Sequence, residues 1–129
     1  MKKIVVSIQN GLLAEAITRT LDDSGEFQPF RMDVKNKKND TAGQCEMLGA
    51  DMLIAEVSYA AGTTMEARLA EAAQIREKTP GCKIVLLCDE NSAPNIARNV
   101  MLSKKDGKID AFFYSSVTAK YLVAALASL

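Results

Sequence analysis

Short runs of β-branched residues alternate with stretches of helical period along the whole chain, and no other feature limits its fold so strongly. The first run, Lys3–Ile8, is almost continuously apolar. That is the pattern of a strand buried on both faces. Gln9-Asn10-Gly11 breaks it, and Leu12, Leu13, Ala16, Ile17 and Leu21 then recur at helical spacing until Asp22-Asp23-Ser24-Gly25. Phe27–Val34 alternates and contains Pro29, which predicts a strand nearer an edge of the sheet.

Lys35–Asp40 reads as a polar loop, with its lysines either solvated or available for electrostatic docking. Thr41 with Gln44 is a capping-box pattern opening a short helix to Leu48. Asp51–Ala55 predicts the third strand, with Glu56–Gly62 as its loop. Thr63 with Glu66 is a second capping-box pattern. It opens a helix whose stripe is Met65, Leu69, Ala72 or Ala73, and Ile75, and Thr79-Pro80-Gly81 stops it.

Lys83–Cys88 is the most apolar strand. Asp89–Ser92 leads into a helix with Pro94 in its first turn, buried through Ile96, Val100 and Met101. Ser103–Gly107 predicts a turn, and Ile109–Tyr114 the fifth strand. A last helix from about Thr118 carries Tyr121, Leu122, Ala125, Leu126 and Leu129 as its stripe. Five strands each followed by a helix predict an α/β fold, a (βα)5 doubly wound parallel sheet of flavodoxin-like type with helices on both faces.

Composition narrows the function. With 16 basic and 16 acidic residues the net charge is zero, which argues against a dedicated nucleic-acid binder. There is no His, so the commonest general base and metal ligand is missing, as is any Ser-His or Cys-His nucleophile. Cys45, Cys82 and Cys88 have no CxxC spacing and read as reduced thiols. The opening MKKIVVSIQN starts like a signal peptide but has no cleavage site, and no run is long enough to span a membrane. The expectation is a soluble, cytoplasmic protein. In open α/β sheets chemistry sits beyond the carboxyl ends of the strands. The candidates there are Ile8, Gln9 and Asn10; Glu56 and Ser58; Cys88 and Asp89; and Ser115 and Ser116. Gln9-Asn10-Gly11 before a helix is a weak candidate for binding an anion through backbone N–H groups.

The element order, the length and several phrases together resemble the response-regulator receiver domain of two-component signalling. Asp51–Glu56 is similar to the family's third strand, Asp110–Val117 to its fifth-strand phrase, and Thr79-Pro80 to the approach to its fourth strand. The resemblance implies a phosphoacceptor Asp, a Mg²⁺ ion held by acidic residues, a Lys after the fifth strand, a Ser or Thr after the fourth, and a switch aromatic. This chain departs at most of these positions. Glu56 stands at the acceptor, Ile8 and Gln9 at the acidic pair, Cys88 at the hydroxyl and Ser115 at the lysine, while Phe112 keeps the aromatic. A Glu nucleophile would lie about 1–1.5 Å further out, and a misplacement of that order costs roughly 100-fold.

The resemblance therefore implies an atypical receiver (residues 1–129, alone or ahead of an output domain) that is not an enzyme and does not bind Mg²⁺ in the usual way. It implies a protein partner: an output domain, a kinase or a second receiver, with a homodimer among the options. The surface implied is that of the fourth helix, fifth strand and fifth helix, with neither nucleic acid nor membrane as partner. Glu56 reads either as a charged stand-in for the phosphorylated residue or as an exposed loop carboxylate. Cys88 reads as a buried thiol or a redox sensor, Phe112 as core or switch, and Ser7 and Ser58 as ordinary polar residues. The rival function is a small ligand-binding domain taking a nucleotide or flavin at the same rim. A phosphocarrier with a first-loop Cys lacks its nucleophile.

Overall fold

A computed structural model of the chain describes residues 1–32, 40–59, 62–89 and 94–129, and for 94, 95 and 97 the backbone alone. The expected polar loop at 35–39, the end of the second predicted strand at 33–34, and Glu90, Asn91 and Ser92 lie outside the described residues. The elements run β1 (Lys2–Ser7), α1 (Gly11–Ser24), β2 (Phe27–Arg31), α2 (Thr41–Leu48), β3 (Met52–Val57), α3 (Met65–Lys78), β4 (Lys83–Cys88), α4 (Pro94–Lys105), β5 (Ala111–Tyr114) and α5 (Ala119–Ala127). All strand pairs are parallel, in the order β2-β1-β3-β4-β5. This is the predicted (βα)5 sheet, with the Pro29 strand at an edge as expected.

The alternation of side chains along each strand divides the core in two. Ile4, Val6, Ile8, Met52, Ile54, Val85 and Leu87 pack against Ala14, Ile17 and Leu21 of α1 and Leu122 and Leu126 of α5. On the other face Val5, Leu53, Ala55, Val57, Ile84, Leu86 and Cys88 pack against α2, α3 and α4. The strand order reverses between β1 and β3, since the chain leaves β1 toward β2 and returns past it to β3. The carboxyl ends of β1 and β3 therefore form the switch point where such sheets place their sites.

Several local expectations are corrected. The third strand does not stop at Ala55: Glu56 and Val57 belong to it and pair with Leu87 and Cys88. Helix α1 runs one turn past Leu21 to Ser24, where Gly25 at φ 72° closes it in the left-handed conformation that glycine adopts freely. Leu12, at 84%, and Ala16 are exposed and Ala14 is buried instead, since the buried row of α1 runs Ala14, Ile17 and Leu21 at i, i+3 and i+7. Asp40 precedes α2 where Thr41 was expected as its cap, and Thr64, not Thr63, caps α3 by accepting from the Ala67 N–H.

Ser103 to Lys105 are the last turn of α4 rather than a separate turn, because Ser103 continues the buried row of Ile96 and Val100. Met101 is exposed, as is Tyr121 on α5. β5 starts at Ala111; Ile109 is core before the strand begins. Ile54→Ala, in the central strand and fully buried, should cost about 3 kcal/mol in urea unfolding, whereas Leu12→Ala should stay within about 0.5 kcal/mol of the parent.

Candidate functional site

The pleat of β3 puts Met52, Ile54 and Glu56 on the α1 face, so Glu56 leaves the sheet toward the β1–α1 loop. Its Oε1 accepts from the backbone N–H of Gln9 and, at 3.1 Å, from that of Asn10. Asn10 also caps α1, its Oδ1 accepting from the Leu13 N–H at 3.2 Å. The carboxylate thus lies at the positive end of the α1 dipole, on amide donors that would otherwise suit an external anion. The Gln9 and Asn10 amides, a weak candidate for binding an external anion, are taken by a carboxylate of the chain itself.

Beneath this contact lies a residue that sequence reasoning passed over. Arg68 of α3 is only 3% exposed. Its Nε donates to the Glu56 carbonyl at 2.8 Å, and one terminal nitrogen, Nη2, donates to the Ser7 carbonyl at 2.8 Å. The other, Nη1, donates to Ser7 Oγ at 2.9 Å and to Glu71 Oε1 at 3.0 Å. One planar guanidinium therefore joins the carboxyl ends of β1 and β3 to α3, which the fixed fork of Arg can do and a single ammonium cannot. Ser7, fully buried, is an acceptor in this network rather than an ordinary strand residue. The signal was present: Arg68, Ala72 and Ile75 are spaced i, i+4, i+7 and all three are buried. Beside them Ser58 and Thr63 close the β3–α3 loop, their hydroxyls 2.6 Å apart and the Ser58 N–H donating to the Thr63 carbonyl at 2.8 Å.

The other sequence candidates are placed differently. Ile8 is buried in the α1 face of the core, and Gln9 is half-buried and takes part through its backbone. Cys88 lies on the opposite face of the sheet from Glu56, in register with Val57 and Tyr114 and 1% exposed. Burial, then the nearby Asp89 charge, pushes its thiol up from the usual range, which opposes a redox-sensor role. The Ser115 N–H donates to the Cys88 carbonyl at 2.9 Å, so these two positions are joined through backbone. Phe112 is half-buried and meets Tyr114 edge-on at 6.0 Å, with Lys104 Nζ 5.9 Å from its ring centre. The structure brings Glu56, Gln9, Asn10, Ser7 and Arg68 together, and it sends Cys88 and Phe112 to the other face. Among the described residues no cluster of three His, Cys, Asp or Glu side chains could hold a metal ion. No helix there is long and apolar enough to cross a membrane.

Arg68→Met keeps an unbranched apolar stem and removes the charge and every donor. It leaves two strand-end carbonyls and Glu71 without their donor, and it should lower stability by about 3 kcal/mol in urea unfolding.

No protein-family model matches the sequence, and no curated protein matches it. Solved structures do resemble it. The chemotaxis protein CheY4 of Vibrio cholerae superposes with a TM-score of 0.74 at 16% identity, over 99% of this chain and 98% of that one. A DNA-binding response regulator of the LuxR family from Staphylococcus aureus gives 0.73 at 15% identity, over 99% and 98%. A protein assigned to pilus assembly in Burkholderia thailandensis gives 0.68 at 17% identity, over 99% and 97%. At these identities the likeness establishes the fold, which is that of receiver domains.

Proposed function

We propose that this chain is a receiver-type signalling module that neither accepts phosphate nor relies on Mg²⁺, and that it acts by docking another protein. The observation that carries this reading is the engagement of Glu56 by the Gln9 and Asn10 amides. Glu56 corresponds by resemblance to the phosphoacceptor, and a carboxylate oxygen already held by two N–H donors is poorly disposed to act as a nucleophile. Ile8 and Gln9, at the positions of the acidic pair, do not fit a hard divalent cation: one is apolar and buried, the other carries no charge. Cys88 in place of the switch hydroxyl and Ser115 in place of the lysine complete the loss. The rival reading, a nucleotide or flavin at this rim, is disfavoured because Glu56 occupies the amide donors such a phosphate would need.

Docking is assigned to the α4–β5–α5 face. Met101 and Tyr121 are exposed there, and Phe112 is half-buried beneath Lys104. Arg98, Lys104, Lys105, Lys108 and Lys120 are exposed on this third of the chain, against an exposed Asp106 and an Asp110 that pairs with Arg76 at 3.1 Å. A partner with an acidic, partly apolar surface fits this excess of positive charge. A two-fold dimer through the same face would set like charges against one another.

Amide NMR spectra titrated with Mg²⁺ and then beryllofluoride test the central claim. The Gln9, Asn10, Glu56 and Cys88 signals should stay in place, and saturable shifts in them would show an active phosphorylation site. Glu56→Ala should cost about 2 kcal/mol in urea unfolding, the worth of hydrogen bonds to a charged acceptor. A variant as stable as the parent would mean that the tether holds nothing.

A further inference from the structure

A cleft of about 480 Å³ lies between α3 and the turn that joins α4 to β5, away from the Glu56 rim. Leu69, Ala72, Ala73 and Arg76 of α3 line one side of it, and Gly107 and Lys108 the other. We propose that this cleft is a binding site for a medium-chain aliphatic monocarboxylate, with the hydrocarbon lying along α3 and the carboxylate between Arg76 and Lys108.

The shape of the cleft suits a hydrocarbon chain. Ala73 is exposed, Ala72 is buried and Leu69 is half-buried, so this strip of α3 presents short apolar side chains. Opposite them Gly107, at φ 77°, adds no side chain, and a β-carbon placed there would meet nothing within 4 Å. From Leu69 to Arg76 the helix advances about 10 Å at 1.5 Å per residue, the reach of an extended chain such as octanoate. An apolar cleft of this volume with a few polar groups is the usual form of a small-molecule site.

The polar groups have donors to spare. The Arg76 side chain is 35% exposed, and among the described residues only its Nη2 has a partner, Asp110 Oδ2 at 3.1 Å. A guanidinium carries five N–H donors, so most of this one remain for a ligand. Lys108 is exposed, and its ammonium has no partner among the described residues. Asp110 lies two residues beyond Lys108, which gathers both cations at the same end of the cleft. No lining residue is acidic. Asp110, which also accepts from the Ile84 N–H at 2.7 Å, offsets one of the two cations. One net positive charge remains, the complement of a carboxylate rather than of a doubly charged phosphate monoester.

Amide NMR of the full chain titrated with octanoate is the test. The Leu69, Ala73, Gly107 and Lys108 signals should shift saturably, while those of Gln9, Asn10 and Glu56 stay in place. Octan-1-ol should bind the parent about fivefold more weakly, and Lys108→Gln should weaken octanoate by about the same factor. Ala73→Trp should fill the cleft and abolish binding. Both substituted positions are exposed, so the variants should keep the parent's spectrum outside the cleft. No saturable shift at millimolar octanoate, shifts centred elsewhere, octan-1-ol binding as tightly, or binding that survives Ala73→Trp would each overturn the proposal.

Discussion

A single buried guanidinium sets the geometry of the switch point. The Ser7 carbonyl at the end of β1 and the Glu56 carbonyl one residue before the end of β3 lie where the strand order reverses, and a buried carbonyl without a donor is costly. Arg68 meets both, and Glu71 with Ser7 Oγ meets Arg68 in turn. The charge is tolerated in the core because its donors have acceptors at 2.8–3.0 Å and because Glu71 provides an opposite charge at the margin. The loops that follow β1 and β3 start from these fixed ends.

From that anchored base the rim becomes self-contained. The β1–α1 loop presents two amides toward the sheet, and the next side chain within reach is Glu56, set on the right face by the pleat of β3. A metal-dependent phosphorylation site needs carboxylates converging on a cation and open to a donor. Here a carboxylate converges instead on backbone donors at a helix N-terminus. The α1 dipole sets a partial positive charge beside Glu56 from the fold itself.

The two faces of the sheet divide the labour. The α1–α5 face carries the Glu56 contact, and the α2–α3–α4 face carries Cys45, Cys82 and Cys88 and the half-buried ring of Phe112. Phe112 and Tyr114 stand on an edge strand, next to the exposed lysines of α4. The cationic side of the molecule therefore adjoins the most aromatic stretch of the chain while the whole has no net charge. That polarity is the ground on which an acidic partner is proposed in place of a second copy.

The order of elements was legible because hydrophobic period is a local property: two residues for a strand, 3.6 for a helix, each readable without knowing what lies opposite. The edge position of β2 followed from Pro29, and the end of α3 from Thr79-Pro80-Gly81, for the same reason. Helical phase was less legible: Leu12 and Tyr121 are exposed, although the apolar pattern alone would bury them. The role of Glu56 could not be read from the pattern, and the helical spacing of Arg68 with Ala72 and Ile75 marked its face but not its partners. Whether Glu56 is a loop carboxylate or a tether depends on β3 running two residues past Ala55, and on where Gln9 and Asn10 turn their amides. Whether Arg68 faces water or the core depends on two strand ends, 12 and 61 residues away in sequence, offering it their carbonyls. The sequence by itself determined the sheet, because burial acts residue by residue along each element. Only the tertiary structure decided the site, because hydrogen bonds between distant segments exist once the chain has brought their donors and acceptors within about 3 Å.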